Sequence, residues 1–207
     1  MLILSTHVDD LKGGGVDAEV DKLIVHLEKL FDKGKLERQT FEHCGVKHHQ
    51  KEDLSIETHM NHYVDQLRPI VSTELATATD DTALASAALI VLYASLLGAL
   101  AWLTQGRPDI SVYVVALQRH NKNPTIAHCK KCNRLLSYVR RKRLTYNFIQ
   151  LTGNPWRIVC ASDSAYKVEE NDARALVGHM ILFMAGNLLY KWSYLSVCLL
   201  VCSYCCY

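Results

Sequence analysis

The chain has 207 residues, 49% of them apolar, with 23 Lys and Arg against 21 Asp and Glu and a net charge of +2. That length suits one large domain or two small ones, and the apolar content allows a real core. The eight cysteines do not form a secreted disulfide framework: Met1-Leu-Ile-Leu4 meets acids within ten residues, so no cleavable leader is read, and reduced intracellular thiols are expected.

The chain opens on an apolar run that climbs to Asp9 and Asp10 and breaks at Gly13-Gly14-Gly15. That pattern predicts a strand, a tight turn carrying two acids, and a return. Two carboxylates at a hairpin tip suit Mg²⁺, because hard cations take oxygen ligands. An acidic turn without metal is the alternative, since Asp is a common turn residue.

Residues 17 to 33 predict a helix, with Asp17 as cap, Val20, Leu23, Ile24, Leu27, Leu30 and Phe31 on one face, and Gly34 as the stop. Thr40 to Lys47 predicts one strand and Leu54 to Glu57 a second. Thr58 to Arg68 predicts a short helix ending before Pro69. Ser72 to Thr82 is small, polar and threonine-rich, and is the best linker candidate.

Leu84 to Thr104 carries no charge over 21 residues, long enough for a membrane span. Its Ser86, Ser95 and Gly98, its alanines, and the closely following Arg107 and Asp109 favour a helix buried in a globular protein. After the turn Gly106-Arg-Pro-Asp109, Ile110 to Arg119 predicts a helix and Asn121-Lys-Asn-Pro124 a break. Thr125 caps a further helix to about Arg140, and Leu144 to Leu151 and Trp156 to Ser162 predict two strands.

Charge is unevenly distributed. No acid lies between Asp109 and Asp163, while ten Lys or Arg fall from Arg119 to Arg157, densest at Arg140-Arg-Lys-Arg143. Such a region is the electrostatic footprint of a polyanion partner, with a solvated basic helix face or a nuclear-localisation patch as alternatives. On the helix from Thr125, Lys130 and Arg134 are four apart and share a side, and Lys131 lies beside them.

Two other constellations carry less. Cys129 and Cys132 have a zinc-like spacing, but they fall on a predicted helix and lack a second pair. The histidines at 43, 48, 49, 59 and 62 alternate with charged residues on a predicted surface hairpin and read as exposed.

Several segments resemble one family in the same order. Thr6-His-Val-Asp-Asp-Leu11 resembles the Tyr-Val-Asp-Asp-Leu motif of copia-type retrotransposon reverse transcriptases. Tyr93 to Ile110, with Gly98, Leu103-Thr104 and Arg107-Pro-Asp-Ile110, is similar to that family's Tyr-Arg-x-x-Val-Gly-x-Leu-x-Tyr-Leu-Thr followed by Arg-Pro-Asp-Ile. Leu117-Gln-Arg119, Asn123-Pro124, His128 and Arg134-Leu-Leu-Ser-Tyr-Val139 follow in register. Ala161-Ser-Asp-Ser-Ala-Tyr166 resembles the Ser-Asp-Ala-Asp-Trp entry to RNase H.

The resemblance covers residues 1 to about 192 and implies an α+β fold. Residues 1–70 would be part of a palm, 71–83 a linker, 84–143 a helical thumb or connection region, and 144–192 an incomplete RNase H-like sheet. An unrelated apolar tail occupies 193–207, whose sequence reads as readthrough or a frameshift.

The resemblance also implies RNA-directed DNA synthesis by two Mg²⁺ ions, which activate the primer hydroxyl and stabilise pyrophosphate as it leaves. Asp9 and Asp10 would be ligands, and Asp163 the first RNase H acid. His7 stands in the family's Tyr position beside the primer end. The implied partners are an RNA/DNA template-primer and dNTPs, with no membrane. Arg119, Lys130, Lys131, Arg134, Arg140, Arg141, Lys142 and Arg143 would hold phosphates. The family's further polymerase aspartate precedes the two-aspartate strand, and Ala165 replaces its second RNase H-entry acid. The expectation is therefore a half-site that does not polymerise alone, with a purely nucleic-acid-binding remnant and a small membrane protein as the other readings.

Overall fold

The computed structural model describes residues 2–7, 10–32 and 34–148, and the backbone path of two strands at 156–165 and 176–185. The fold is α+β. Strands β1 (Leu2–His7) and β2 (Asp10–Gly15) form an antiparallel hairpin in which His7 lies opposite Asp10 and Leu2 opposite Gly15. The three glycines therefore pair as the last residues of the return strand.

Helix α1 (Asp17–Phe31) follows with Asp17 and Glu19 in its first turn, where acids suit the helix dipole. Its N-cap is Val16, not Asp17, and Asp32 takes the positive φ of 61° at its exit, not Gly34. None of its residues is buried.

The stretch expected as one strand from Thr40 to Lys47 is a hairpin. β3 (Thr40–His43) turns through Cys44 and Gly45 into β4 (Val46–Gln50). Both turn residues have positive φ, 51° and 74°, the conformation of a two-residue turn that matches strand twist. Gly45 is required twice over. A Cβ there would lie 3.1 Å from Trp102 Nε1 as well as in the left-handed region. β5 (Ile56–His59) and β6 (Tyr146–Phe148) complete a four-stranded antiparallel sheet in the order β3-β4-β5-β6. The last strand thus joins the β3–β5 segment to residues far along the chain.

The core is helical. Short helices α2 (Asn61–Gln66) and α3 (Thr73–Thr77) lead to α4 (Ala87–Leu103), α5 (Ser111–Gln118) and α6 (Ile126–Arg141). Leu89, Tyr93, Leu96, Leu97, Leu100 and Leu103 of α4 pack with Val114, Leu117, Cys129, Cys132, Leu135, Leu136 and Val139 in one cluster. Burying each such side chain contributes roughly 1.5–3 kcal/mol of transfer free energy. Among the described residues no helix is long and apolar enough to cross a membrane.

The segment expected as a linker is built into this core. The Glu74 carboxylate of α3 binds the amide of Ser86 at 2.9 Å and also its hydroxyl, while Ser86 Oγ accepts from Leu89 N at 3.3 Å and caps α4. Asp81 and Ala83 offer their carbonyl oxygens to Ala127 N and Ile126 N, at 2.9 and 3.0 Å. The first amides of α6, which have no partner inside their own helix, are satisfied by this strap.

β7 (Trp156–Ala165) and β8 (Leu176–Ala185) form a separate antiparallel pair with Asp163 opposite Gly178. The apolar tail from 193 lies outside the described residues.

Candidate nucleic-acid interface

Helix α6 begins at Thr125, as its sequence predicts, but the cap is unusual. Thr125 N donates to His128 Nδ1 at 3.0 Å, so the third helical residue reaches back to the cap amide as a Glu or Gln does in a capping box. The His128 ring stacks on His120 at 3.9 Å between centroids. The helix is sharply two-sided. Ile126, Cys129, Cys132, Leu135, Leu136 and Val139 are buried, and the cations occupy other faces.

The expected basic residues divide into two groups. Lys130 pairs with Asp81 at 2.6 Å. Arg140 donates to the carbonyl of Leu67, and Arg143 binds both the Asp65 carboxylate and the carbonyl of Asn61 at 2.9 Å. These three fasten α6 to its neighbours. Lys131, Arg134, Arg141 and Lys142 are exposed and make no ion pair among the described residues. Arg134 and Arg141 are seven apart, two helical turns, and so share a side with Lys131 one turn before them. Arg119, at the exit of α5, is half-buried and also engaged.

The exit of α6 is fixed by a buried arginine. Arg107 is 2% exposed. Its Nε and Nη2 fork onto the two oxygens of Asp109, each at 2.8 Å, and its Nη1 donates to the carbonyls of Lys142 at 2.8 Å and Val139 at 3.4 Å. The hydrogen bonds from Arg107 hold the Asp109 carboxyl below the usual carboxylate range. Tyr138 Oη adds a bond to Asp109 at 3.2 Å. The Arg-Pro-Asp-Ile block is thus a clamp on the C-terminal carbonyls of α6, where a cation also suits the helix dipole.

At the hairpin tip, Asp10 is exposed at the start of β2, and Asp9 lies outside the described residues. The His7 ring meets the His43 ring edge-on at 6.3 Å. Among the described residues no group of three or more His, Cys, Asp or Glu side chains is arranged to hold a metal ion. Asp163 is placed by backbone register on β7 alone.

The remaining constellations are tied into the fold. Cys129 and Cys132 are both 0% exposed, and burial pushes the Cys132 thiol up to about 12. His49 bonds Thr40 Oγ1 at 2.8 Å across the β3–β4 pair, and His62 Nε2 meets Glu42 at 3.1 Å. His48 stacks on Phe41 at 4.9 Å, and burial, with Lys12 and His43 nearby, lowers its pKa to about 4. The sequence reading passed over the clamp and the strap. Arg107 and Asp109 stand out in sequence as a turn, as charges closing an apolar run and as parts of a motif, and no spacing rule connects them to residues 139–142.

Comparison with family models, curated proteins and solved structures returned no match.

Proposed function

We propose that this chain is the C-terminal half of a copia-type reverse transcriptase with the start of its RNase H domain. Taken alone, it holds a template-primer by the phosphates without extending it. The observation that carries the binding half is the exposed side of α6 bearing Lys131, Arg134, Arg141 and Lys142. Unpaired cations along one helix neutralise phosphates regardless of base sequence. The resemblance at Tyr93 to Ile110 supports the family assignment. A hairpin with Asp10 at its turn supports the polymerase ancestry.

Two-metal phosphoryl transfer needs carboxylates that bridge both ions. Asp9 and Asp10 supply two, and a third acid belongs to the family's set. Without that third acid, Mg²⁺ at Asp9 and Asp10 would be held weakly, and no dNTP would be turned over. Asp163 stands in the same relation to RNase H, with Ala165 in place of a neighbouring acid. The partner is therefore an RNA–DNA hybrid or its strands, met inside the cell.

The test runs binding and incorporation side by side with Mg²⁺, on a primed RNA template. Sequence-tolerant binding that falls steeply with salt, and no primer extension, is the expected result. Primer extension by this chain would overturn the half-site, and absence of binding at low salt would overturn the nucleic-acid role.

A further inference from the structure

We propose that Arg107 is a positioning residue for the phosphate-binding face, because it sets where Lys142 and Arg141 leave α6. The inference rests on the reading of α6 as a nucleic-acid interface. Arg107 is buried and its guanidinium is engaged by Asp109, Val139 and Lys142, so it acts only through the groups it holds.

The helix ends at Arg141, and Lys142 follows with φ −102° and ψ 81°, already outside helical space. At such an end the last carbonyls ordinarily face water or a glycine-based cap. Here those of Val139 and Lys142 face Arg107. The direction in which the chain leaves α6 for β6 is therefore set by a side chain from the loop after α4.

The same guanidinium lies 5.7 Å from the centre of the Tyr138 ring, and Lys142 Nζ lies 5.9 Å from that centre. Two cations beside one ring repel unless one is neutralised. Asp109 does this by forking onto Arg107, so that Lys142 sits against the ring while its charge remains exposed. A lysine at 107 keeps the charge but cannot fork onto a carboxylate and also reach two carbonyls. The clamp thus converts a buried guanidinium, neutralised by a partly exposed carboxylate, into a fixed address for an exposed cation.

The experiment compares the parent chain with Arg107→Gln, Arg107→Lys and Lys142→Ala. It measures thermal unfolding, amide exchange at residues 139–143, and binding of an RNA–DNA hybrid from 25 to 200 mM salt. In folded Arg107→Gln protein, exchange at 139–143 should accelerate. Affinity at low salt should fall about three- to tenfold, and the slope of log affinity against log salt should lose about one, the share of a single phosphate contact. Arg107→Lys should fall between the two.

Folded Arg107 variants that bind with the parent's affinity and slope would overturn the positioning role and leave the interface standing. A parent chain that binds no hybrid would overturn the interface and this inference together. Should both Arg107 variants unfold, Lys142→Ala carries the test in the intact clamp, since an unchanged slope there shows that no phosphate contact is made at the held position.

Discussion

The side-chain amide of Asn133 reads the backbone of Ile70 from both sides, accepting from its N–H at 2.8 Å and donating to its carbonyl at 2.9 Å. The pair joins the middle of α6 to the segment after α2, 63 residues away in sequence. Arg140 grips Leu67 two turns further along the same helix. Replacing Asn133 by Ala leaves two half-buried backbone groups without partners. That should cost about 2–3 kcal/mol, because each orphaned group costs roughly 1–3 kcal/mol less whatever water recovers. A fall in the urea midpoint with unchanged m-value is the expected readout, and a change under about 0.5 kcal/mol would show that water replaces the amide.

Tyr93 offers a cleaner deletion. Its ring is 0% exposed and its hydroxyl donates to the Leu117 carbonyl at 2.8 Å, tying α4 to the end of α5. Tyr93→Phe keeps the packing and removes one buried hydrogen bond, so about 1–2 kcal/mol should be lost. Tyr93→Leu should lose more, since the ring is also gone. Equal stabilities for the two variants, measured by urea denaturation, would show that the hydroxyl contributes nothing.

Acid should loosen the β3–β4 pair first. The unfolded chain protonates His48 near pH 6.5, whereas in the fold burial holds it to about 4. Between those values the unfolded state binds the extra proton, so this contribution is complete above about pH 6.5 and is lost as pH falls toward 4. His43 and His59 are shifted in the same direction, again chiefly by burial. His48→Phe keeps a ring against Phe41 and should flatten the decline in stability between pH 7 and 5. An unchanged pH profile would remove His48 as its cause.

The two groups of cations should separate in a binding titration. Neutralising Lys131, Arg134 and Arg141 together should lower the salt slope by about two to three, with similar losses on unrelated sequences. Lys130→Gln should leave binding nearly unchanged and alter stability by at most about 1 kcal/mol, as its pair with Asp81 is largely exposed. If Lys130 proves as important as Arg134, the division drawn from the ion pairs is wrong.

Local signals were readable where a residue acts on its own neighbours. Apolar spacing marked α1, while α6, through its Thr125 cap, and the β1–β2 turn followed from side-chain chemistry at fixed offsets. The β3–β4 hairpin was missed although Gly45 announced it. A single glycine preceded by Cys is a weaker turn signal than Asn-Gly, and His43 and Val46 suit continuous strand. The helix expected from Thr58 starts only at Asn61, because pairing of β5 with β4 takes residues through His59 first. Half of the basic residues could not be sorted from sequence. Whether a cation faces water depends on Asp81, Asp65 and the Leu67 carbonyl, which the chain brings to α6 from far away.

The strap from Asp81 to Ala85 changes how the polypeptide can be divided. Composition marks residues 71–83 as the natural place to cut, yet α6 borrows the acceptors for its first two amides from that stretch, and Ala85 N returns a bond to Pro124 at 2.9 Å. A piece beginning at Ser86 would carry α6 with its leading turn open to solvent and α4 without Glu74. The smallest separable unit containing this helix therefore begins before Ser72, and a protease given the native chain should spare the threonine-rich stretch that looks most exposed on paper.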